Sequence, residues 1–309
     1  MVSSFLRIGL DVFLLFLFAT KTDGLSTFHQ DVAFSYIDTD DVVTLPTNTY
    51  DDPPLLERRG TGSVFDATIP GTYVFTFQAP GKNVASPAPV NATNYRLVKL
   101  SGTPPSADLV LRLTADGPVS GHVMVELDAL DSFQIETYAR TVMPVANTTA
   151  PVIFNGFLLY HRCLCSPLVL RRSSFSASRD TDVAAGTAAI HDFDEVFNIG
   201  DEFDELRGIF TASLPGIYVF MYSFPNQGVG RSGTVTVSLT LNDAVKSSAS
   251  SVSSTAPTSQ YSGATVVLDL VEGDQVRLRK VGGLISIPTV IDGGIPVKVS
   301  PILFSGFLL

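Results

Sequence analysis

The sequence predicts an all-β protein built from two similar domains in tandem. Apolar and polar residues alternate in short runs separated by Gly, Pro, Asn and Ser, as in strands joined by turns. No window of useful length keeps a helical period. A motif also occurs twice, because Phe154–Tyr160 (FNGFLLY) and Phe304–Leu309 (FSGFLL) lie about one domain length apart. These three observations define the fold class before any strand is placed.

The composition is that of an acidic globular protein. Among 309 residues, 45% are apolar and 16% are charged, which excludes a disordered chain and is enough for two cores. The formal net charge is -10. Nucleic acid is therefore not an expected partner, since contacts with phosphates need clustered Lys and Arg.

Residues 1–24 have the pattern of a cleaved secretory signal. Arg7 supplies a positive start, Val12–Ala19 is an uncharged apolar stretch, and small residues precede position 25. This stretch is shorter than the ~20 residues that span a bilayer, although a signal anchor is the alternative. No later segment is apolar enough to cross a membrane, so we expect a secreted, extracellular protein. Two glycosylation sequons, at Asn91 and Asn147, agree with that route.

The predicted domains are residues 25–160 and 173–309, joined by a linker at 161–172. A Pro-Gly turn followed by Tyr-x-Phe occurs in both domains, at Pro70 and at Pro215. The predicted strands are Val64–Gln78, Asp108–Thr114 and His122–Asp128 in the first domain, and Gly208–Ser223, Thr234–Leu241, Ala264–Leu270 and Gln275–Lys280 in the second.

The two halves are predicted to differ mainly in one segment. We align Leu109–Asp116 with Val235–Asp243, after which the second half carries Val245–Gln260 where the first has only Gly117 and Pro118. A run of small polar residues predicts a surface loop, and such loops often bind ligands. A solvated loop without a function is the alternative.

The last strand has large apolar side chains on both faces. Phe304 and Leu308 point to one side and Phe307 and Leu309 to the other, because strand side chains alternate. Both faces must therefore be covered. We expect a second sheet on one face and another subunit on the other.

These residues identify a family resemblance. The second half resembles the globular head domain of the complement C1q family (the C1q/tumour necrosis factor superfamily). The matching residues are Phe193, Val196, Asn198, Phe210, Pro215-Gly216, Tyr218, Phe220, Leu268, Leu270, Gly273-Asp274, Val276, Leu278 and Phe304–Leu309. The first half looks like a divergent copy, in which Pro70–Phe75 and Phe154–Leu159 are kept and Leu130-Asp131 replaces the Gly-Asp turn.

The resemblance implies two tandem ten-stranded jelly-roll sandwiches that pack around a threefold axis, so the expected partner is the chain itself, as a homotrimer or a higher multiple. The sequence has no Gly-X-Y repeat, so no collagen stalk is expected. The motif residues assigned to the core or trimer strands are Phe154, Phe157, Tyr218, Phe304, Gly306, Phe307 and Leu309.

The resemblance also suggests a calcium ion and interchain disulfides. Some related heads hold calcium through an aspartate at the position of Asp243, which corresponds in our alignment to Asp116. The family's second acidic position falls in Val245–Gln260, which has no carboxylate, so no cofactor is required and calcium is a secondary expectation. Cys163 and Cys165 are the only cysteines, and family members often link subunits through such a pair. A local or free pair is the alternative.

No pattern of an enzyme is present. The four histidines (29, 122, 161 and 191) have no partner spacing, and the glycine-rich segment at 228–233 precedes a strand rather than a phosphate-binding helix. We therefore predict a multivalent, lectin-like recognition protein of innate-immune type that binds carbohydrate or other surface patterns. A cytokine-like trimer that clusters a protein receptor is the alternative, followed by a matrix component. The candidate ligand-binding residues are Gly228, Arg231, Ser247, Ser250, Ser253 and Gln260.

Overall fold

The computed structural model describes most of the chain from residue 33 onward. The described residues are 33–38, 48–52, 56–59, 62–79, 93–102, 106–115, 119–138, 152–161, 173–186, 188–227, 233–253, 259–292, 295–299 and 301–309. They belong to one compact unit, Val32–Leu309. Within these residues there is no helix that is long and apolar enough to cross a membrane.

The first half is a sandwich of two antiparallel five-stranded sheets. Its front sheet contains, in spatial order, β2 (Asn48–Asp52), β1 (Ala33–Asp38), β10 (Val152–His161), β5 (Gly71–Ala79) and β8 (Val119–Leu127). Its back sheet contains β3 (Leu56–Arg59), β4 (Gly62–Asp66), β9 (Ser132–Tyr138), β6 (Thr93–Ser101) and β7 (Ser106–Ala115).

The second half is built in the same way. Its front sheet contains β13 (Asp194–Ile199), β11 (Ser174–Arg179), β23 (Ile302–Leu308), β16 (Gly216–Gln227) and β19 (Ser259–Leu270). Its back sheet contains β14 (Phe203–Asp204), β15 (Ile209–Thr211), β20 (Gln275–Gly282), β17 (Gly233–Leu241) and β18 (Ala244–Ser253), with β12 (Ala188–Ala189) paired to β20. A separate hairpin is formed by β21 (Thr289–Asp292) and β22 (Ile295–Lys298).

The strand orders of the two halves correspond one to one. In each front sheet the strand that closes the half (β10 or β23) lies between the first long strand and the strand after the Pro-Gly turn (β5 or β16). The neighbour of that strand on the other side is the edge strand β8 or β19. The all-β jelly-roll prediction is confirmed, and β8 and β19 occupy equivalent edges.

Aromatic side chains fill both cores. In the first half, Phe75 stacks on Phe133 with ring centroids 4.2 Å apart. In the second half, Phe175 stacks on Phe203 at 4.3 Å and meets Phe304 edge-on at 4.9 Å. Burial of these rings contributes to the driving force for closing each sandwich.

The Pro-Gly turn is stabilised in the same way in both halves. Tyr73 Oη donates a hydrogen bond to the carbonyl of Ile69 at 2.6 Å, and Tyr218 Oη donates one to Leu214 at 3.0 Å. Each ring is fully buried while its hydroxyl closes the preceding turn. This pairing explains why the Tyr-x-Phe motif follows the turn in both copies.

The prediction of a surface loop at Val245–Gln260 is wrong for its described residues, while 254–258 lie outside them. Ala244–Ser253 forms strand β18, and Gln260 lies in β19. The first-half counterpart of β18 is β7, so the alignment of Leu109–Asp116 with Val235–Asp243 was shifted by one strand. The run of serines conceals the strand, because it gives almost no hydrophobic alternation.

Candidate interaction surfaces

Four of the predicted ligand-binding residues lie in strands rather than in a loop. Ser247, Ser250 and Ser253 lie on β18, and Gln260 lies on β19. Gly228 and Arg231 lie outside the described residues. The polar residues of β18 are therefore held by strand pairing rather than by a free loop.

Hydroxyl groups line the outer face of the second back sheet. The register pairs Thr236 with Ser250 and Ser238 with Ser248. Their side-chain oxygens are 2.9 Å and 2.8 Å apart, respectively, so each pair shares a hydrogen bond across the strands. Opposite faces of β18 differ, since Ala249 is buried while Ser248 and Ser250 are exposed. On β17, Thr236 is partly buried and Ser238 is only 6% exposed. We call the four paired residues, Thr236, Ser238, Ser248 and Ser250, the hydroxyl face.

Two arginines lie beside the hydroxyl face on strand β20. Arg277 pairs in register with Thr240, and Arg279 pairs with Ser238. The carboxylate of Asp243 accepts a hydrogen bond from Arg277 and lies 3.8 Å from Arg279. The hydrogen bond and charge of Arg277 hold the pKa of Asp243 below its ordinary value. The hydroxyl face is thus bordered by guanidinium groups that already share one carboxylate.

This arrangement does not fit the calcium expectation. A cation at Asp243 would compete with two guanidinium groups for the same carboxylate, and calcium needs six or more oxygen ligands. The described residues contain no group of three or more His, Cys, Asp or Glu side chains that could hold a metal. Asp116 lies outside the described residues and, with the strand alignment corrected, is not the counterpart of Asp243.

A second surface joins the outer faces of the two front sheets. Its buried members form what we call the interdomain cluster, and these are Val74, Met124, Val219, Met221 and Phe307. Phe157, Leu159 and Phe197 are partly buried and pack against it. The rings of Phe157 and Phe307, which are equivalent residues of the repeated motif, meet edge-on at 6.5 Å. Apolar contact between the halves therefore covers the centre of the second front sheet.

The last strand has the two covered faces that its sequence requires. Phe304 is fully buried in the core of the second half, and Phe307 is 1% exposed in the interdomain cluster. The cover that we expected from another subunit is supplied, for Phe307, by the first half of the same chain. Leu309 remains 55% exposed.

The other motif residues are divided between core and interface. Phe154, Tyr218 and Phe304 are core residues, and Phe157 lies at the interdomain cluster. Gly306 faces the core, where an added Cβ would lie 2.6 Å from the Phe220 ring and 2.7 Å from the Phe175 ring. Glycine is required at this position because two aromatic rings occupy the space of a side chain.

His122 is a buried histidine at the interface that the sequence pattern did not single out. It lies beside Val123 on the edge strand β8 and is only 8% exposed. Its ring hydrogen-bonds to the backbone of Met221, and Nε2 has no hydrogen-bond partner within the described residues. Burial lowers the pKa of His122 to about 4.

A tyrosine hydroxyl adds a polar contact between the halves. Tyr160 Oη donates to the carbonyl of Leu308 at 2.5 Å and lies 3.3 Å from the carbonyl of Ser173. This contact fixes the end of the last strand against the end of β10. The predicted glycosylation sites Asn91 and Asn147, the cysteines Cys163 and Cys165, and the signal at 1–24 lie outside the described residues.

Comparison with known proteins identifies the second half. The sequence model of the C1q domain matches residues 174–309. Caprin-2 of Danio rerio is 36% identical over 145 residues, which are 46% of this chain but only 15% of Caprin-2.

Three kinds of solved structure are similar to the chain, all with low TM-scores. The globular domain of zebrafish complement 1qA is 25% identical, with a TM-score of 0.34, and the match covers 44% of this chain and 97% of that one. Murine APRIL is 11% identical, with a TM-score of 0.33, covering 45% and 99% of the two chains. PNGF-II is 6% identical, with a TM-score of 0.30, and covers 90% of this chain and 65% of its own. Domains of the C1q and tumour necrosis factor type form trimers. The match of the family model therefore supports a C1q family domain at residues 174–309.

Proposed function

We propose that the chain is a secreted recognition protein of innate-immune type that binds carbohydrate through the hydroxyl face of its C1q domain. The hydroxyl face carries this proposal, because the exposed Ser248 and Ser250 share hydrogen bonds with Ser238 and Thr236, and Arg279 lies opposite Ser238 on the next strand. Hydroxyls both donate and accept, and guanidinium groups donate in fixed directions, so together they complement the hydroxyls of a sugar.

The first half acts in this proposal as a second, divergent head. Support comes from its strand order, which matches that of the C1q domain in all ten positions, and from the equivalent hydrogen bonds of Tyr73 and Tyr218. The proposed division is a signal at 1–24, heads at 25–160 and 173–309, and a linker at 161–172. Weak individual sites would gain avidity when several heads reach one surface.

The proposal assigns binding rather than catalysis to the chain. Domains of the C1q and tumour necrosis factor type are typically non-enzymatic, and proteins with C1q domains are commonly secreted. Secretion itself is tested by expression with residues 1–24 intact in animal cells. Recovery of the protein from the medium supports the secretory route. So does a loss of mass on glycosidase treatment that is abolished by Asn91→Gln and Asn147→Gln. Retention in the cytosol contradicts it.

A glycan array tests the ligand class. The full secreted chain is applied to immobilised glycans together with the double variant Thr236→Ala/Ser250→Ala, which removes one hydroxyl pair. We expect the double variant to bind sugar at least about tenfold more weakly, since two hydrogen bonds of about 1 kcal/mol each are lost. Thr265→Ala is the matched control, because Thr265 is an exposed threonine on β19 of the other sheet.

The array distinguishes the proposal from its alternative. Sugar-inhibitable binding that falls in the double variant and not in the control supports carbohydrate recognition. Binding to no glycan, or equal binding by the double variant, overturns it. Saturable binding to one cell type without inhibition by sugars would instead indicate a receptor ligand of the cytokine type.

A further inference from the structure

The two halves touch through a surface that is separate from their cores. Edge strand β8 of the first half lies against all five strands of the second front sheet, β13, β11, β23, β16 and β19. Each half closes around its own aromatic core, and among the described residues of the second half only Leu303 and the partly buried Tyr261 pack against the first core. The interdomain cluster has five buried residues of its own. The contact can therefore open while both cores stay closed.

Polar atoms at this contact are incompletely hydrogen-bonded. The buried side-chain atoms without a hydrogen-bond partner among the described residues are His122 Nε2, Ser174 Oγ and Ser223 Oγ. Ser174 pairs in register with Phe307, and Ser223 lies two residues after Met221, so both serines share the outward face of the interdomain cluster. A buried polar atom without a partner lowers the stability of the contact that buries it. These atoms therefore weaken the contact between the halves rather than either core.

His122 joins the two halves through one hydrogen bond. Its ring bonds to the backbone of Met221 across the contact, and Nδ1 is the bonded atom, because Nε2 has no partner among the described residues. The ring is only 8% exposed. A second proton, taken up at Nε2, would bury a positive charge without a partner, which is strongly unfavourable. Neutral His122 therefore stabilises the closed contact, and charged His122 opposes it.

No charged residue is paired in register with His122 or with Met221. Thr76 lies opposite His122 on β5, and Thr265 and Ser305 lie on either side of Met221. The charged residues on β8 and on the strands that contact it are Glu126 on β8, Lys99 on β6, Asp108 and Arg112 on β7, Asp194 and Glu195 on β13, Arg179 on β11 and Asp269 on β19. The tyrosines of these strands, Tyr73, Tyr218, Tyr222 and Tyr261, pack into or against the cores. A proton on His122 therefore gains no carboxylate partner from the strand pairing of either half.

We propose that the contact between the halves is an acid-sensitive latch, in which protonation of His122 separates the halves while both sandwiches stay folded. The open form exposes Met124 and Met221, which are 0% and 2% exposed in the closed form. The latch makes exposure of the interdomain cluster depend on pH. This inference goes beyond the proposed carbohydrate binding and does not depend on it.

The direction and size of the effect follow from the proton linkage. In the closed form, burial lowers the pKa of His122 from 6.5 to about 4, and exposure in the open form returns the pKa to its ordinary value. The open form therefore binds the proton more tightly, so opening is favoured as the pH falls below 6.5. Between pH 7 and pH 4.5 the ratio of open to closed chains rises by roughly 60-fold.

Oxidation of methionine by dilute hydrogen peroxide, read by peptide mass spectrometry, measures this opening in the full chain. Met124 and Met221 lie in the interdomain cluster, one from each half, and are shielded while the latch is closed. We expect both to oxidise at least about tenfold faster at pH 4.5 than at pH 7 in the wild type. His122→Leu and His122→Asn cannot take up the proton, so both methionines should stay shielded at either pH. His191→Gln should behave as the wild type, because the His191 side chain is 53% exposed.

Methionines placed in the cores distinguish opening of the latch from unfolding. Leu127→Met and Leu278→Met put one reporter in the core of each half, where the native leucines are 0% exposed. Exchange of leucine for methionine conserves volume, so we expect both variants to fold. Both reporters should stay shielded at pH 4.5, and circular dichroism checks that every variant is folded at pH 7.

Each outcome decides the question. Faster oxidation of Met124 and Met221 in acid that requires His122 and spares the core reporters supports the latch. Equal oxidation at the two pH values overturns it, as does faster oxidation in acid that persists in both His122 variants. Oxidation of the core reporters at the rate of Met124 also overturns it, since the chain would then unfold as a whole. Loss of sugar binding in the hydroxyl-face variants would leave this result unaffected.

Discussion

Protonation of His122 should destabilise the fold in mild acid. The folded protein lowers the pKa of this side chain from 6.5 to about 4, because the ring is buried between the two halves. Among the described residues Nε2 has no hydrogen-bond partner. The unfolded chain therefore binds a proton more readily than the folded chain below pH 6.5. Stability from neutral His122 is fully present above that pH and is lost progressively as the pH falls toward 4.

The shift sets the size of the effect. A lowering from 6.5 to about 4 corresponds to about 3 kcal/mol when the full window is crossed, at about 1.4 kcal/mol for each pH unit. Between pH 7 and pH 4.5 the loss from this one group is about 2.5 kcal/mol. Such a loss is a large fraction of the stability of an ordinary domain.

Urea unfolding at pH 7 and pH 4.5 measures this loss in the wild type, His122→Leu and His122→Asn. Both variants remove the titrating group, and the asparagine keeps the capacity to hydrogen-bond to Met221. We expect each to lose about 2.5 kcal/mol less than the wild type over this pH interval. His191→Gln is the control, because His191 lies on the surface with a side chain that is 53% exposed. Equal pH dependence in the wild type and both His122 variants would refute the reasoning.

Three further substitutions test contacts that stabilise the second half. Gly306→Ala should destabilise by about 1–3 kcal/mol, because its Cβ would lie 2.6–2.7 Å from the rings of Phe220 and Phe175, as thermal unfolding will show. Lys280→Met should lower the free energy of unfolding in urea by about 1–3 kcal/mol, since the buried ammonium donates to three glycine carbonyls, two of them at 2.7 Å. Tyr160→Phe should cost about 1 kcal/mol by the same assay, because it removes the 2.5 Å hydrogen bond to the last strand.

Controls separate these effects from general sensitivity to substitution. Gly283→Ala serves for Gly306, because its nearest contact would be one methyl of Val235 at 3.2 Å, longer than the 2.6–2.7 Å contacts at Gly306. Lys298→Met serves for Lys280, because the Lys298 side chain is 40% exposed. A Gly306→Ala protein as stable as Gly283→Ala would contradict the account of the core. If Lys280→Met or Tyr160→Phe were as stable as the wild type, those hydrogen bonds would contribute no net stability.

The strands with strong alternation were predictable from the sequence. The Pro-Gly turns at Pro70 and Pro215 were placed correctly, and so were the two covered faces of Phe304 and Phe307. These features are local, since turn chemistry and the two-residue period act within a few residues. Strand β18 could not be predicted in this way, because only its pairing with β17 distinguishes its serines from a solvated loop.

The sequence by itself determined that two β domains of similar plan must each bury an aromatic core, and that both faces of the last strand need a cover. The tertiary structure alone decided what supplies that cover. Met124 and Val267 occupy equivalent positions on equivalent edges, yet one is buried and the other is exposed. Alternation specifies which side chains share a face, whereas burial of that face depends on which surface docks against it. The same dependence on docking buries His122 between the halves, where no short-range pattern could place it.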